Sequence, residues 1–308
     1  MIRREGDYKS GFKYYKNDVE IKDKVEIERI RSLKIPPAYQ KVVIVNSRKI
    51  VAYGYDSKGR KQVLYQPAFV KKQNDKKYKK IFASLQTFEK LKDVIARDMK
   101  NKKDIKRKEI AIIIDLIFNC GFRIGNKKYE KENNSVGLTT LKFSHMNFAK
   151  KQIHIDFIGK KGVRNTAICH NKMIYGYLYN KCQSTTSDSY VFSYNHNDVL
   201  KNITSADVNE YIKAVDEDTK MTSKDLRTWN ANYLFMSFFK QMTDVSAATA
   251  ASAATEPKGN QEKVKNPVKR AIEMVANKLH NTYSICKKSY IDPKLVKYAE
   301  KMTHDRKI

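Results

Sequence analysis

The sequence predicts an α+β protein: a small strand-rich N-terminal domain over residues 1–78 and a larger, mostly α-helical domain over residues 79–308 that contains one β-hairpin. Three observations predict it. Lys41–Pro67 carries short β-branched and aromatic runs separated by turn-forming NSRK and DSKGRK. From about Tyr78 the apolar residues fall at helical spacing. Lys151–His170 then returns to strict alternation about a GKKG turn.

In chain order, KVVIV, KIVAYGY and KQVLY form a small antiparallel sheet. Tyr53, Tyr55 and Tyr65 stand among Lys58, Arg60 and Lys61, a mixture of aromatics and cations suited to a nucleic-acid surface or, for any one tyrosine, to ordinary strand packing. Ile81, Leu85, Phe88, Leu91, Val94 and Ile95 line one face of a helix, and KRKEIAIIIDLIFNCGF makes another that ends near Gly121. In the hairpin, Ile153, Ile155 and Phe157 share a face. SADVNEYIKAVDE and SKDLRTWNANYLFMSFFKQM are helices, each with a serine as candidate cap. The low-complexity stretch Ser246–Asn266 is helix-compatible by alanine propensity in its first half. It has no large apolar anchor before Val264 and reads as a flexible surface insertion near 246–265. Asn266-Pro267 restarts a helix as cap and first-turn proline, with Val268, Ile272, Val275 and Leu279 on one face; its end delivers His280 and Asn281.

Charge narrows the function. Sixty-two Lys and Arg against 33 Asp and Glu give a net +29. A polyanion is the natural partner, because neutralising phosphates releases counterions. Four scattered cysteines, Cys120, Cys169, Cys182 and Cys286, include no CxxC pair; they read as reduced thiols of an intracellular protein. The charged start, MIRREGDYKSG, lacks a signal-peptide pattern, and the longest apolar run, Ile110–Phe118, is too short to span a bilayer. The histidines have no metal-ligand spacing, and neither metal nor cofactor is expected.

Four separated pieces suit one chemistry, transesterification at a phosphodiester. Arg123 follows a helix, Lys160 sits at the hairpin tip, Arg227 lies on a helix, and HNTYSICKKSY supplies His280, Asn281 and Tyr290 behind Lys287 and Lys288. Guanidinium forks fit the charged non-bridging oxygens of a pentavalent transition state. A lysine can protonate the leaving oxygen. A phenol, with an ordinary pKa of about 10, needs nearby cations to attack as phenolate, and the ester it forms stores the energy for rejoining.

The chain resembles the type IB DNA topoisomerases, in particular the compact poxvirus-type and bacterial group. IPPAYQKVVIV followed by YDSKGRKQVLY is similar to the family's N-terminal signature. RIGNKKYEKENNSVGLTTL, FIGKKGVRN, KDLRTWNAN and NTYSICKKSYIDP are similar to its four catalytic segments, in order. The resemblance implies a monomeric C-shaped clamp around double-stranded DNA, with Tyr290 forming a 3′-phosphotyrosyl bond and Arg123 and Arg227 stabilising the transition state. It implies Lys160, or with less support its neighbour Lys161, as general acid, and relaxation of both signs of supercoil without ATP or obligatory metal. Many members carry histidine nine residues before the tyrosine; here that residue is Asn281, with His280 one earlier. Asn281 is assigned the phosphate contact, and His280 reads as a helix-terminal residue whose cationic form meets the dipole, the alternative being that His280 makes the contact. Lys127, Lys128 and Tyr129 match a segment that enters the DNA groove, and Tyr65 another groove contact. The rivals are a tyrosine recombinase, disfavoured by Lys224 where recombinases usually place histidine, and a catalytically inactive DNA-binding protein. Richness in Lys, Asn and Ile suggests an AT-rich genome and the compact length a virus. The expected location is then a virion or viral replication site, and otherwise cytoplasm or nucleoid.

Overall fold

The structure, a computed structural model, describes residues 1–216, 221–252 and 266–305. The chain divides into two compact units, Met1–Lys79 and Lys80–Ile308.

The first unit is a six-stranded antiparallel sheet: β1 (Ile2–Asp7), β2 (Gly11–Lys16), β3 (Val19–Glu20), β4 (Gln40–Ile44), β5 (Ile50–Tyr55) and β6 (Lys61–Tyr65), in the order β3-β2-β1-β4-β5-β6. Helix α1 (Lys24–Ser32) is capped by Asp23, whose side chain accepts from the Val25 N–H. The core joins Ile2, Tyr14, Ile30, Ile44, Val51 and Ala52. Three of the expected strands are β4–β6; β1–β3 extend the sheet beyond the expectation. Their apolar alternation is masked because the second inward position of β1 is an arginine. Arg4 is buried, its guanidinium lies 4.2 Å over the Phe12 ring, and it donates to the carbonyls of Ile35, Pro36, Pro37 and Tyr39. A buried cation satisfied by four carbonyls thus shapes the IPPAYQ loop.

The division between the units falls within α2 (Pro67–Ala83), which begins earlier than Tyr78 because Pro67 occupies its first turn. Ser84 separates it from α3 (Leu85–Asp98), so the single helix expected here is two. In α4 (Ile105–Cys120) Ile110 to Ile117 are buried without interruption. The chain continues through α5 (Lys127–Asn133), β7 (Met146–Ala149), β8 (Gln152–Ile158), β9 (Arg164–Cys169), α6 (Lys172–Gln183), β10 (Ser193–His196), β11 (Val199–Asn202) and α7 (Ser205–Val215). The expected hairpin is β8–β9, with Ile153, Ile155 and Phe157 buried and β7 added on the free edge of β8. Helices α8 (Ser223–Ser252), α9 (Pro267–Lys278), α10 (Tyr283–Ser289) and α11 (Pro293–Asp305) complete the unit.

The expected serine caps move by one residue. Thr204 and Asp207 form a reciprocal capping box at α7, and the Thr222 N–H and hydroxyl both donate to Asp225 at α8. Asn266 caps α9 as expected, accepting from the Lys269 N–H at 2.9 Å. Helix α8 continues through Ser252, so the alanine-rich start of the expected insertion is helical; residues 253–265 lie outside the described residues. Helix α8 joins the two cores of this unit: Leu226 and Trp229 belong to the core around α4, Ala231, Phe235 and Phe239 to the core with α9–α11. Among the described residues no helix is long and apolar enough to cross a membrane.

Candidate active site

Two helix C-termini meet where the chemistry-bearing residues gather. Helix α4 ends on Gly121 at φ +68°, and a Cβ there would overlap the Lys278 carbonyl near the end of α9. Helix α9 ends in a Schellman motif: the Asn281 N–H donates to the Ala276 carbonyl at 2.9 Å and the His280 N–H to Asn277 at 3.1 Å, with His280 in the left-handed region at φ +51°. This turn places Asn281 next to Arg123, whose Nη2 donates to its Oδ1 at 2.7 Å.

Arg227, four per cent exposed on α8, bridges the two helix ends. Its Nη1 donates to the Gly121 carbonyl and its Nη2 to the Leu279 carbonyl at 3.1 Å. Burial lowers its pKa to about 10, so it remains a cation at neutral pH. The partial negative charge at the ends of α4 and α9 compensates part of its desolvation. Its Cζ lies 5.5 Å from the centre of the Tyr290 ring.

Tyr290 ends α10. Burial alone would push its phenol up; the guanidinium groups of Arg227 and Arg123 outweigh that and hold the pKa below its ordinary value. Cys286, four residues earlier, is buried and has its pKa raised to about 12, which keeps that thiol protonated and inert. Two buried donors in this cluster have no hydrogen-bond partner, Nε of Arg227 and Nδ2 of Asn281. Orphaned donors beside a phenol whose pKa is held down by two guanidinium groups suit an anionic group with several acceptor oxygens.

The family described as "Eukaryotic DNA topoisomerase I, catalytic core" matches residues 61–307, and that described as "Bacterial DNA topoisomerase IB, N-terminal domain" matches residues 11–56. The chain belongs to the type IB DNA topoisomerase family. The resemblance read from the sequence motifs is borne out. The DNA topoisomerase 1B of Acanthamoeba polyphaga mimivirus is 29% identical over 298 residues, 93% of this chain and 85% of the relative. The DNA topoisomerase 1B of vaccinia virus (strain Copenhagen) is 26% identical over 276 residues, 87% and 80% of the two chains. A solved XerH site-specific recombinase bound to palindromic difH substrate aligns at TM-score 0.42 and 12% identity, over 70% of this chain and 51% of that one.

Within this candidate site the structure brings together Tyr290, Arg227, Arg123 and Asn281. His280 lies beside them with its ring engaged elsewhere: Nε2 donates to the Cys120 carbonyl at 2.9 Å, and the ring stacks on Phe122 at 5.2 Å. Burial, with Arg227, Arg123 and Lys278, lowers its pKa, so the cationic form expected at the helix end is not the one its surroundings favour. Lys287 and Lys288 are exposed; the groups that lower the Tyr290 pKa are Arg227 and Arg123 instead.

Lys160 and Lys161 are not drawn into the cluster. Both are exposed in the short turn between β8 and β9, Lys161 at φ +62°. Gly159 makes that turn possible, because a Cβ there would press on the Asn165 amide, which holds the Val163 carbonyl at 2.7 Å. Lys127, Lys128 and Tyr129 are exposed on α5, which Asn126 caps. In the N-terminal unit, Asp56 organises the β5–β6 turn: it accepts from the Lys58 and Arg60 N–H groups and pairs with the Arg60 guanidinium, which holds its carboxyl at about 2. Lys61 lies over the Tyr53 ring at 4.1 Å, and the exposed Tyr65 stacks on Phe69.

Sequence reasoning missed Asn232. On α8, three per cent exposed, it donates to the Tyr290 carbonyl at 2.8 Å and accepts from the Asp292 N–H at 2.8 Å, fixing the backbone on either side of Ile291. The available signal was polarity: Asn230 and Asn232 stand among the apolar residues Trp229, Ala231, Leu234 and Phe235 of a core helix, and buried amides have partners.

Proposed function

We propose that the enzyme relaxes positive and negative supercoils by cutting one strand of duplex DNA through Tyr290, letting that strand rotate, and resealing it. The Tyr290 phenolate attacks the scissile phosphorus. The new bond is a 3′-phosphotyrosyl ester, the broken bond is that to the 5′-oxygen, and Lys160 supplies the proton that leaves a 5′-hydroxyl. Arg227 and Arg123 hold the non-bridging oxygens together with the Asn281 amide, which donates a hydrogen bond without adding charge. Resealing reverses these steps, so the ester stores the energy and neither ATP nor a metal takes part. Lys160 fits the acid role as an exposed side chain on a tight turn, free to follow bound DNA. A monomer closes as a C-shaped clamp, the N-terminal unit on one face of the duplex and the helical unit on the other, with Lys58, Lys61, Tyr65, Lys127, Lys128 and Tyr129 among the contacts.

The observation that supports this reading best is the pair of orphaned donors, Arg227 Nε and Asn281 Nδ2, in a cluster that also lowers the pKa of a tyrosine. The test is relaxation of oppositely supercoiled plasmids in EDTA without ATP. Wild type relaxes both and Tyr290→Phe neither. Binding without relaxation by wild type would refute the reading, as would full activity of the mutant.

A further inference from the structure

Helix α5 is unusual in this unit: none of its residues is buried. It belongs to an excursion, residues 125–137, that leaves and returns at one point. Gly125 and Gly137 touch, so that a Cβ on either would overlap the other's backbone. Arg123 and Ile124 sit at the neck, accepting from the Leu138 and Thr139 N–H groups at 3.0 and 2.7 Å. A helix with no buried side chain contributes little packing energy and must be held by polar contacts. Near the neck the Val136 N–H donates to the Ile158 carbonyl at 3.0 Å, and at the middle of the helix the Tyr190 hydroxyl donates to the Glu130 carboxylate at 2.9 Å. Tyr190 is itself fixed: its strand segment bridges to Lys142, which pairs with Asp188 at 2.7 Å, and the Lys127 ammonium lies 5.2 Å over its ring.

We infer that the Tyr190–Glu130 hydrogen bond is a tether that positions α5 for target-site selection by the enzyme. The inference rests on the cleavage reading above. Four residues of chain from Arg123 to Lys127 span at most about 14 Å, and a seven-residue helix is about 10 Å long. A duplex whose phosphate reaches Arg123 therefore lies within reach of Lys127, Lys128 and the 61% exposed Tyr129. Docked, α5 presents these groups in one orientation, and base sequences that suit it are cut preferentially. Released, it samples many orientations and discriminates less. Tyr190 is thus a positioning residue; it acts through α5 and touches no reacting atom.

The test maps cleavage positions along an end-labelled duplex, by trapping the covalent adduct, for wild type, Tyr190→Phe, Glu130→Ala and Glu130→Gln, with melting temperatures and plasmid relaxation in parallel. Losing a hydrogen bond to a carboxylate removes roughly 1.5 kcal/mol, which is on the order of a tenfold loss of the docked state. The ratio of strong to weak sites therefore falls by about that factor in Tyr190→Phe and Glu130→Ala, while the melting temperature and relaxation at saturating enzyme stay near wild type. Glu130→Gln, whose amide oxygen still accepts from the hydroxyl, retains most of the preference. A wild-type pattern in both Tyr190→Phe and Glu130→Ala would overturn the tether while leaving the function intact. Equal loss in Glu130→Gln and Glu130→Ala would overturn it in favour of a charge effect. A wild-type enzyme that relaxes nothing would sink the underlying reading instead.

Discussion

Asn232→Asp replaces one NH₂ group by oxygen and should convert a constant clamp into a pH-dependent one. In the native enzyme Asn232 Nδ2 donates to the carbonyls of Thr228 and Tyr290 at 2.7 and 2.8 Å, and Oδ1 accepts from the Asp292 N–H at 2.8 Å. Aspartate keeps the acceptor but turns its second oxygen towards two carbonyl oxygens. Ionised, it leaves the Tyr290 carbonyl without its donor, at about 1–3 kcal/mol, and adds the cost of a buried repelled charge, for a total on the order of 4 kcal/mol. Protonated, its hydroxyl restores one of the two bonds. The folded state therefore raises the pKa of this carboxyl above its unfolded value of about 4. The sign follows: the penalty is smallest near pH 4, grows as pH rises and saturates above the folded pKa. Melting curves should show a loss of about 10 °C at pH 8 that shrinks towards pH 5, since roughly 1 kcal/mol moves Tm by 2–4 °C in a domain of this size. Asn232→Ala should show a loss that does not vary with pH. Single-turnover cleavage of a suicide substrate should fall on the order of a hundredfold at pH 8, because the Tyr290 backbone shifts. Parallel pH dependences for the Asp and Ala variants would refute the assignment of Asn232 as the clamp.

Gly121→Ala should destabilise by about 2–3 kcal/mol and slow cleavage disproportionately, since the added Cβ meets the Lys278 carbonyl at φ +68° and displaces the adjoining Leu279 carbonyl that holds Arg227. Urea unfolding and single-turnover rates measured together check this; a stability within error of wild type would contradict it. Burial raises the pKa of Asp115, whose Oδ2 has no partner, so this residue takes stability away as pH rises above about 4. Asp115→Asn should therefore gain on wild type in urea titrations between pH 5 and pH 8; a gap that narrows would be the wrong sign. Because Arg227 and Arg123 hold the Tyr290 phenol low, the cleavage rate should rise with pH and level off below the ordinary tyrosine range, and Arg123→Ala should move the bend upward. An unmoved bend would show that the profile reports another group.

The parts of this fold legible in the sequence are those where one physical rule acts alone. Helix α9 shows its cap, first-turn proline and apolar face in ten residues, and β8 its alternation of Ile153, Ile155 and Phe157. Strands β1–β3 were hidden because an arginine takes an inward position, which only the four carbonyls of the IPPAYQ loop make tolerable. In the site, the residue types and their order were legible, but not the source of the charge. The lysines next to Tyr290 in sequence point to solvent, whereas Arg227 and Arg123 come from 63 and 167 residues away by their numbers. His280 was ambiguous because sequence cannot show that its ring nitrogen is spent on the Cys120 carbonyl.

What satisfies the two arginines decides what they can do. A buried guanidinium is usually paired with a carboxylate, which would neutralise it and repel a phosphate. Here Arg227 is held by the carbonyls of Gly121 and Leu279, and Arg123 by the neutral amide of Asn281, so both keep their full charge for an anion. Asn281→Asp tests this separation of stability from activity. The new carboxylate would sit at the 2.7 Å bond to Arg123 and turn it into a charge-assisted pair. Its folded pKa is then lowered, so the added stability, about 1 kcal/mol, is present at neutral pH and is lost as pH falls through that pKa. Cleavage moves the other way: the orphaned Nδ2 donor is gone and Arg123 is neutralised in place, which should slow the single-turnover rate by at least about a hundredfold. An enzyme more stable at pH 7 and nearly inactive would place the value of Asn281 in its neutrality. A variant that kept its rate would mean that neither Arg123 nor Asn281 meets the charge that develops on the phosphate.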